Sequence, residues 1–199
     1  MLLTLVSCDL FSTRDPQSPD LGTTFIWTPA STTSIIVDNF TGTLQAVDPS
    51  NFARCFVSSQ DTVVDASAST SYTFTPRAGL DASSQSVFAA WTQQSEQSFL
   101  TKLRALLETN GQMTVTLSNK VINQSTANSA RASADYLVTL PVPSNSTLPT
   151  SISGSLIFEL VLVTTAGGTK EWRIINWTDF AGTNTANKTF TDLKLQTGS

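Results

Sequence analysis

Tyr72, Asp135, Tyr136, Glu159, Arg173 and Asp179 are candidates among the side chains of this sequence for acid–base work on a small molecule. Glu159 is the most interesting of them. Phe158 and Leu160 flank it, and burial would raise its pKa toward the range of a general base. The competing reading, which we expect, is that Glu159 faces Asn176 across a strand pair or meets a cation near the sheet edge. Asp179, at the end of a strand, is expected to cap the following turn, and Arg173 to lay its stem across the sheet. No carboxylate pair, Gly-rich phosphate loop or nucleophile elbow is present, so no catalytic residue is assigned. The chain has two cysteines and no histidine. That excludes histidine-based triads and leaves zinc and transition metals without their usual ligand sets. Neither a metal nor a cofactor is expected. Cys55, among Phe52, Ala53 and Phe56, reads as a small buried hydrophobe.

The other cysteine points to a covalent modification. Leu5-Val6-Ser7-Cys8 resembles a bacterial lipobox. The resemblance implies a diacylglyceryl thioether on Cys8, which becomes the first residue after cleavage, and a protein lipid-anchored to a membrane on the periplasmic or outer side of the cell envelope. A secretory leader carries a basic n-region and an apolar h-region of about 7–15 residues; Met1 to Ser7 supply neither in full. Either the leader begins upstream, or Leu2 to Val6 is a buried segment and Cys8 a core thiol. The polar run from Asp9 to Asp20, broken by Pro16 and Pro19, suits a tether and favours the first. The expected division is a partial signal peptide at 1–7, a lipidated tether at 8–31 and a folded domain at 32–199.

Composition narrows the rest. A domain of about 170 residues can bury one substantial core. Hydrophobic residues make up 40% and charged residues only 13%, and serine and threonine exceed a quarter, so hydroxyls solvate much of the surface. A net charge of −4 with 11 basic residues gives no electrostatic footprint for nucleic acid. No run of 18 apolar residues marks a spanning helix.

The elements that must position these groups follow from periodicity. Thr32 to Phe56 reads as two short helices, the first with Ser34 as N-cap, the second with Asp48 as N-cap and Pro49 at its first position. Asp61 to Ser71 reads as loop and Tyr72 to Thr75 as a short strand. Asp81 to Glu108 is the longest helical stretch, with apolar patches at Val87, Phe88, Trp91 and at Phe99, Leu100, Leu103, Leu106, Leu107, ended by Asn110-Gly111. Everything after that reads as β. Met113, Val115 and Leu117 alternate with threonines, as do Tyr136, Val138 and Leu140 with other residues. Ser155 to Thr165 and Thr169 to Phe180 form a hairpin around Gly167-Gly168. A two-residue loop there pairs Val163 with Trp172, Val161 with Ile174, Glu159 with Asn176 and Phe158 with Trp177.

Helices followed by a long antiparallel sheet make an α+β domain. The order of two short helices, a short strand, a longer helix and four longer strands resembles the NTF2-like cone over roughly Thr33 to Phe180. The run Cys8 to Pro16, with Trp172 to Asp179 near the end, is also similar to a group of uncharacterised bacterial lipoproteins. The cone resemblance implies N-terminal helices packed on a curved antiparallel sheet that encloses a pocket. The candidate pocket residues are Tyr72, Trp91, Glu159, Trp172 and Trp177, the tryptophans being pocket wall or core. Two functions follow as expectations. One is a non-catalytic binding or assembly domain, taking a small apolar ligand or a protein partner. The other, implied by the resemblance, is an isomerase- or dehydratase-type enzyme with a carboxylate base, Glu159 or Asp179, and a tyrosine donor.

Overall fold

The computed structural model describes residues 25–65, 69–108, 112–182, 184 and 187–198. Cys8 and the Asn110-Gly111 stop lie outside them. Helix α1 (Thr33–Gln45) is capped by Thr32, ahead of the expected Ser34, with its hydroxyl accepting from the Ile35 N–H. The expected cap of α2 (Pro49–Ala53) is present: Asp48 accepts from the Asn51 N–H and Pro49 opens the helix. Short strands β1 (Thr62–Val63) and β2 (Thr73–Thr75) follow.

The stretch expected as one long helix is two, α3 (Ala82–Phe88) and α4 (Gln93–Leu106). The physical reason is Thr92. Its hydroxyl accepts from the Ser95 N–H while Ser95 reaches back to the Thr92 N–H, a reciprocal cap that starts a new helix. Strands β3 (Thr114–Gln124), β4 (Ser129–Thr139), β5 (Ser151–Thr164) and β6 (Lys170–Ala181) then form the sheet. Two elements were not expected: β1, inside the stretch read as loop and paired with β5, and a last helix. Helix α5 (Phe190–Thr197) closes the described chain, where only β structure had been read.

The sheet runs β2-β6-β5-β4-β3, with β1 on β5 and only β2 parallel to its neighbour. Register shifts interrupt β3 between Ser118 and Val121 and β6 opposite Glu159 and Leu160. Bulges of this kind bend a strand and tighten its twist, and the mixed sheet is accordingly curved and open. This is the expected α+β architecture, helices laid on a curved sheet.

The β5–β6 hairpin corrects the expected register over half its length. Thr165 and Thr169 pair across a loop of Ala166, Gly167 and Gly168, with Gly168 at φ 78°. A three-residue loop closing on a left-handed glycine moves the pairing by one, so Trp172 meets Leu162 and Arg173 meets Val161. The extra residue in β6 then restores the expected pairs, Glu159 with Asn176 and Phe158 with Trp177. Residues 171–175 are buried in succession, because both faces of this hairpin are covered.

The core centres on Trp177, fully buried. Its ring meets Phe40 of α1, Phe74 of β2, Phe158 of β5 and Phe190 of α5 at centroid distances between 4.8 and 5.7 Å. The packed chain begins before position 32. Asn39 donates to the Thr28 carbonyl, Trp172 N–H to the Ala30 carbonyl, and Arg54 stacks 4.3 Å over Trp27.

Candidate functional site

Three of the five candidate pocket residues meet in the space between the helices and the sheet. Tyr72 Oη donates to Glu96 Oε1 at 2.5 Å, and Trp91 Nε1 donates to the same oxygen at 2.9 Å. Trp177 lies beside them, its ring 3.9 Å from Lys194 Nζ. The two ionisable groups that organise this cluster, Glu96 and Lys194, were not among the expected site residues. Lys194 Nζ donates to Glu96 Oε1 at 2.5 Å, and both side chains are fully buried. Burial pulls the Lys194 ammonium down to about 8, the nearby Glu96 carboxylate opposing that shift. Burial, reinforced by Glu96, pushes the Tyr72 phenol well above its usual range.

Local sequence explains how each group arrives there. Glu96 occupies the apolar stripe of α4, three residues before Phe99, four before Leu100 and seven before Leu103, all buried. A carboxylate on that stripe has to point inward. Lys194 stands four residues after Phe190 on the buried side of α5, next to Leu193. A charged residue on an otherwise apolar face was the legible signal in both cases. The sequence Thr189-Phe190-Thr191-Asp192 also carried a helix-start pattern.

A second polar group fastens α5. Asp179 Oδ1 accepts from Tyr136 Oη at 2.8 Å, and its Oδ2 accepts from the Thr191 N–H at 2.8 Å and the Thr191 hydroxyl at 2.6 Å. Tyr136 Oη in turn accepts from the Phe190 N–H at 3.0 Å. Asp179 was expected to cap the turn after its strand; its carboxylate instead reaches the first turn of α5, twelve residues on, whose N-cap is Thr189. Burial raises its pKa, against the pull of these donors. Arg77 adds a bidentate pair, Nη2 to Asp192 Oδ1 at 2.9 Å and Nε to Oδ2 at 3.2 Å. Carboxylates at the first turn suit the positive end of the helix dipole. Gly154 makes room for this arrangement: a Cβ there would lie 2.3 Å from the Phe180 carbonyl oxygen and 2.7 Å from Tyr136 Oη.

The other two candidates lie elsewhere. Glu159 is half-exposed, opposite Asn176 and 3.5 Å from Arg131 Nε. It is the surface-facing carboxylate of the expected alternative. Trp172 is buried at the hairpin end, opposite Leu162. Arg173 is buried and pairs with Glu171 Oε2 at 2.6 Å. Asp135 accepts from Ser155 at 2.6 Å and Asn119 at 2.7 Å, which hold its carboxyl below the usual value. Cys55 is buried, and burial pushes its thiol up to about 12; a thiol held so far from ionisation is inert as a nucleophile. No cluster of three or more metal-ligating side chains occurs among the described residues.

Comparison with protein-family models found no match, and comparison with characterised proteins found none. Solved structures do resemble this chain. One is a protein assigned provisionally as an aromatic ring hydroxylase from Novosphingobium aromaticivorans, 15% identical, covering 74% of this chain and 85% of its own, TM-score 0.49. Another, provisionally a dehydratase of the NTF2-like family from Streptomyces avermitilis, is 10% identical over 75% of this chain and 93% of its own, TM-score 0.47. A third is an NTF2-like protein of unknown function in nutrient uptake from Rhodospirillum rubrum, 9% identical over 74% and 96%, TM-score 0.47.

Proposed function

We propose that this protein is a lipid-anchored component of the bacterial cell envelope whose cone-shaped domain binds or assembles without turning over a substrate. The observation that carries the non-catalytic reading is the filling of the cone. Helix α5 sends Phe190, Leu193 and Lys194 into the interior, all fully or almost fully buried, against Trp177, Phe74 and Glu96. An enzyme of this shape needs that space for its substrate. The carboxylates first considered as bases are also committed elsewhere, Glu159 to Arg131 and Asp179 to Tyr136 and Thr191.

The anchoring half of the proposal rests on Leu5-Val6-Ser7-Cys8 and the polar run after it. The acyl chains of a diacylglyceryl group thioether-linked to Cys8 bring membrane affinity through buried methylenes, about 0.8 kcal/mol each. The test is fractionation of the protein expressed from its own locus, beside Cys8→Ser. Wild type should sediment with membranes and the variant should be released. Both in the soluble fraction would end the anchored reading.

A further inference from the structure

A cleft of about 380 Å³ opens to solvent at the turn end of the β5–β6 hairpin, outside the filled cone and within the size range of small-molecule sites. Backbone pairing fixes its walls. The Ile174 N–H donates to the Cys55 carbonyl at 2.8 Å and the Val57 N–H to the Ile174 carbonyl at 3.0 Å, which brings Arg54 and Arg173 together. Both guanidiniums lie over the ring of Trp27, Cζ 4.3 Å from its centroid for Arg54 and 5.5 Å for Arg173. Gln93 Nε2 donates to the Ala53 carbonyl at 3.0 Å and ties the start of α4 to the same wall. Two carboxylates also line the cleft, Glu171 and Asp61, the latter held by the Ser58 N–H at 2.8 Å and the Ser58 hydroxyl at 3.0 Å. Arg173 is only 5% exposed, far too deep for an ordinary solvated surface charge. Its ion pair with Glu171 at 2.6 Å occupies part of each group only. Among the described residues, Arg54 and Arg173 donate hydrogen bonds from Nη1 alone, Asp61 accepts at Oδ2 alone and Glu171 at Oε2 alone. Each guanidinium keeps its Nε and Nη2 donors, a fork that matches a carboxylate, and each carboxylate keeps an oxygen. A simple anion entering the cleft meets two carboxylates, and a simple cation meets two guanidiniums. A ligand carrying both charges satisfies both sets.

We propose that this cleft binds a free α-amino acid, its carboxylate on Arg54 and Arg173 and its ammonium on Asp61 and Glu171. The inference deepens the binding-module reading and rests on it, since it assigns the domain a ligand instead of a reaction. Trp27 and Glu171 hold Arg173 in place before the ligand arrives, so little ordering of that side chain is left for binding to bring about.

The test is two-dimensional NMR of the isotope-labelled full chain, titrated with L-alanine. Amide signals of residues 58–61 and 165–171 should shift saturably. Propionate is alanine without its amino group, and ethylammonium is alanine without its carboxylate. Each should bind about tenfold or more weakly, having lost one set of charged hydrogen bonds. Arg54 and Asp61 both reach solvent, so Arg54→Gln and Asp61→Asn keep the fold, and each should weaken alanine by about tenfold. Arg131→Gln, at the exposed pair with Glu159 on the sheet, should leave the affinity unchanged. No saturable shift up to the solubility limit of alanine overturns the proposal. So does equal affinity for propionate or ethylammonium, or unchanged affinity in Arg54→Gln and Asp61→Asn. The alanine signals in the same samples separate this failure from that of the parent reading. Alanine that shifts the cleft and is recovered intact supports both, whereas alanine that shifts the cleft and is consumed keeps the site and overturns binding without turnover.

Discussion

The Glu96–Lys194 pair is unusual in being sealed from solvent on both sides. Removing one member of a buried pair strands the other charge, at a cost of about 3–5 kcal/mol. Lys194→Met and Glu96→Gln should each lower stability by that order, measured by denaturant unfolding, while the double variant should lose clearly less than their sum. Additive losses would mean the two groups do not interact. The pH dependence has a defined sign. Lys194 titrates at about 8 in the folded protein against 10.5 for a free lysine, because burial outweighs the attraction of Glu96 and the weaker one of Asp179. Between those values the unfolded chain binds more protons, so this group's contribution to stability rises with pH from about 8 to 10.5. Wild type should therefore gain stability relative to Lys194→Met across that window. A relative loss would contradict the assignment. Gly154→Ala belongs to the same scale: its methyl would meet the Phe180 carbonyl and the Tyr136 hydroxyl, and we expect a loss of about 1–3 kcal/mol from overpacking.

At the scale of elements, turn chemistry and helix caps decide the outcome. Gly168 sits at φ 78°, so Gly168→Val should cost more than about 1 kcal/mol, visible as a lower melting temperature. A melt equal to wild type would mean the loop relaxes into another turn. The hairpin was legible from its two glycines and its apolar runs, and Phe158 opposite Trp177 follows from them directly. The half nearest the turn was not legible, because a third loop residue and a compensating bulge at β6 shift and then restore the register without any mark in the pattern. The break between α3 and α4 was hidden for a related reason: a Thr92 to Ser95 cap looks like any pair of hydroxyls in a serine- and threonine-rich chain. Helix α5 did carry a start signal, but it is a single short element in a polar stretch. Glu96 and Lys194 escaped because each reads alone as a surface charge; only their spacing from Phe99, Leu103 and Phe190 places them inside. Tyr72, Trp91 and Trp177 were recoverable as aromatics that had to be buried or line a wall.

Across the whole molecule, one core joins helices and sheet, and Trp177 is its hub. Trp177→Ala should destabilise by about 3–5 kcal/mol, a large part of the margin of a single domain. The central claim is that α5 closes the cone with Lys194 inside. Lys194 is fully buried, whereas Lys102, Lys170 and Lys188 are exposed, and an amine must reach solvent to be acylated. Brief acetylation of the folded protein, read residue by residue by mass spectrometry, measures that difference directly. The account predicts that Lys194 stays unmodified while the exposed lysines react, and that it becomes reactive only on denaturation. Modification of Lys194 in the folded protein at the rate of Lys188 would show the cone open and contradict it.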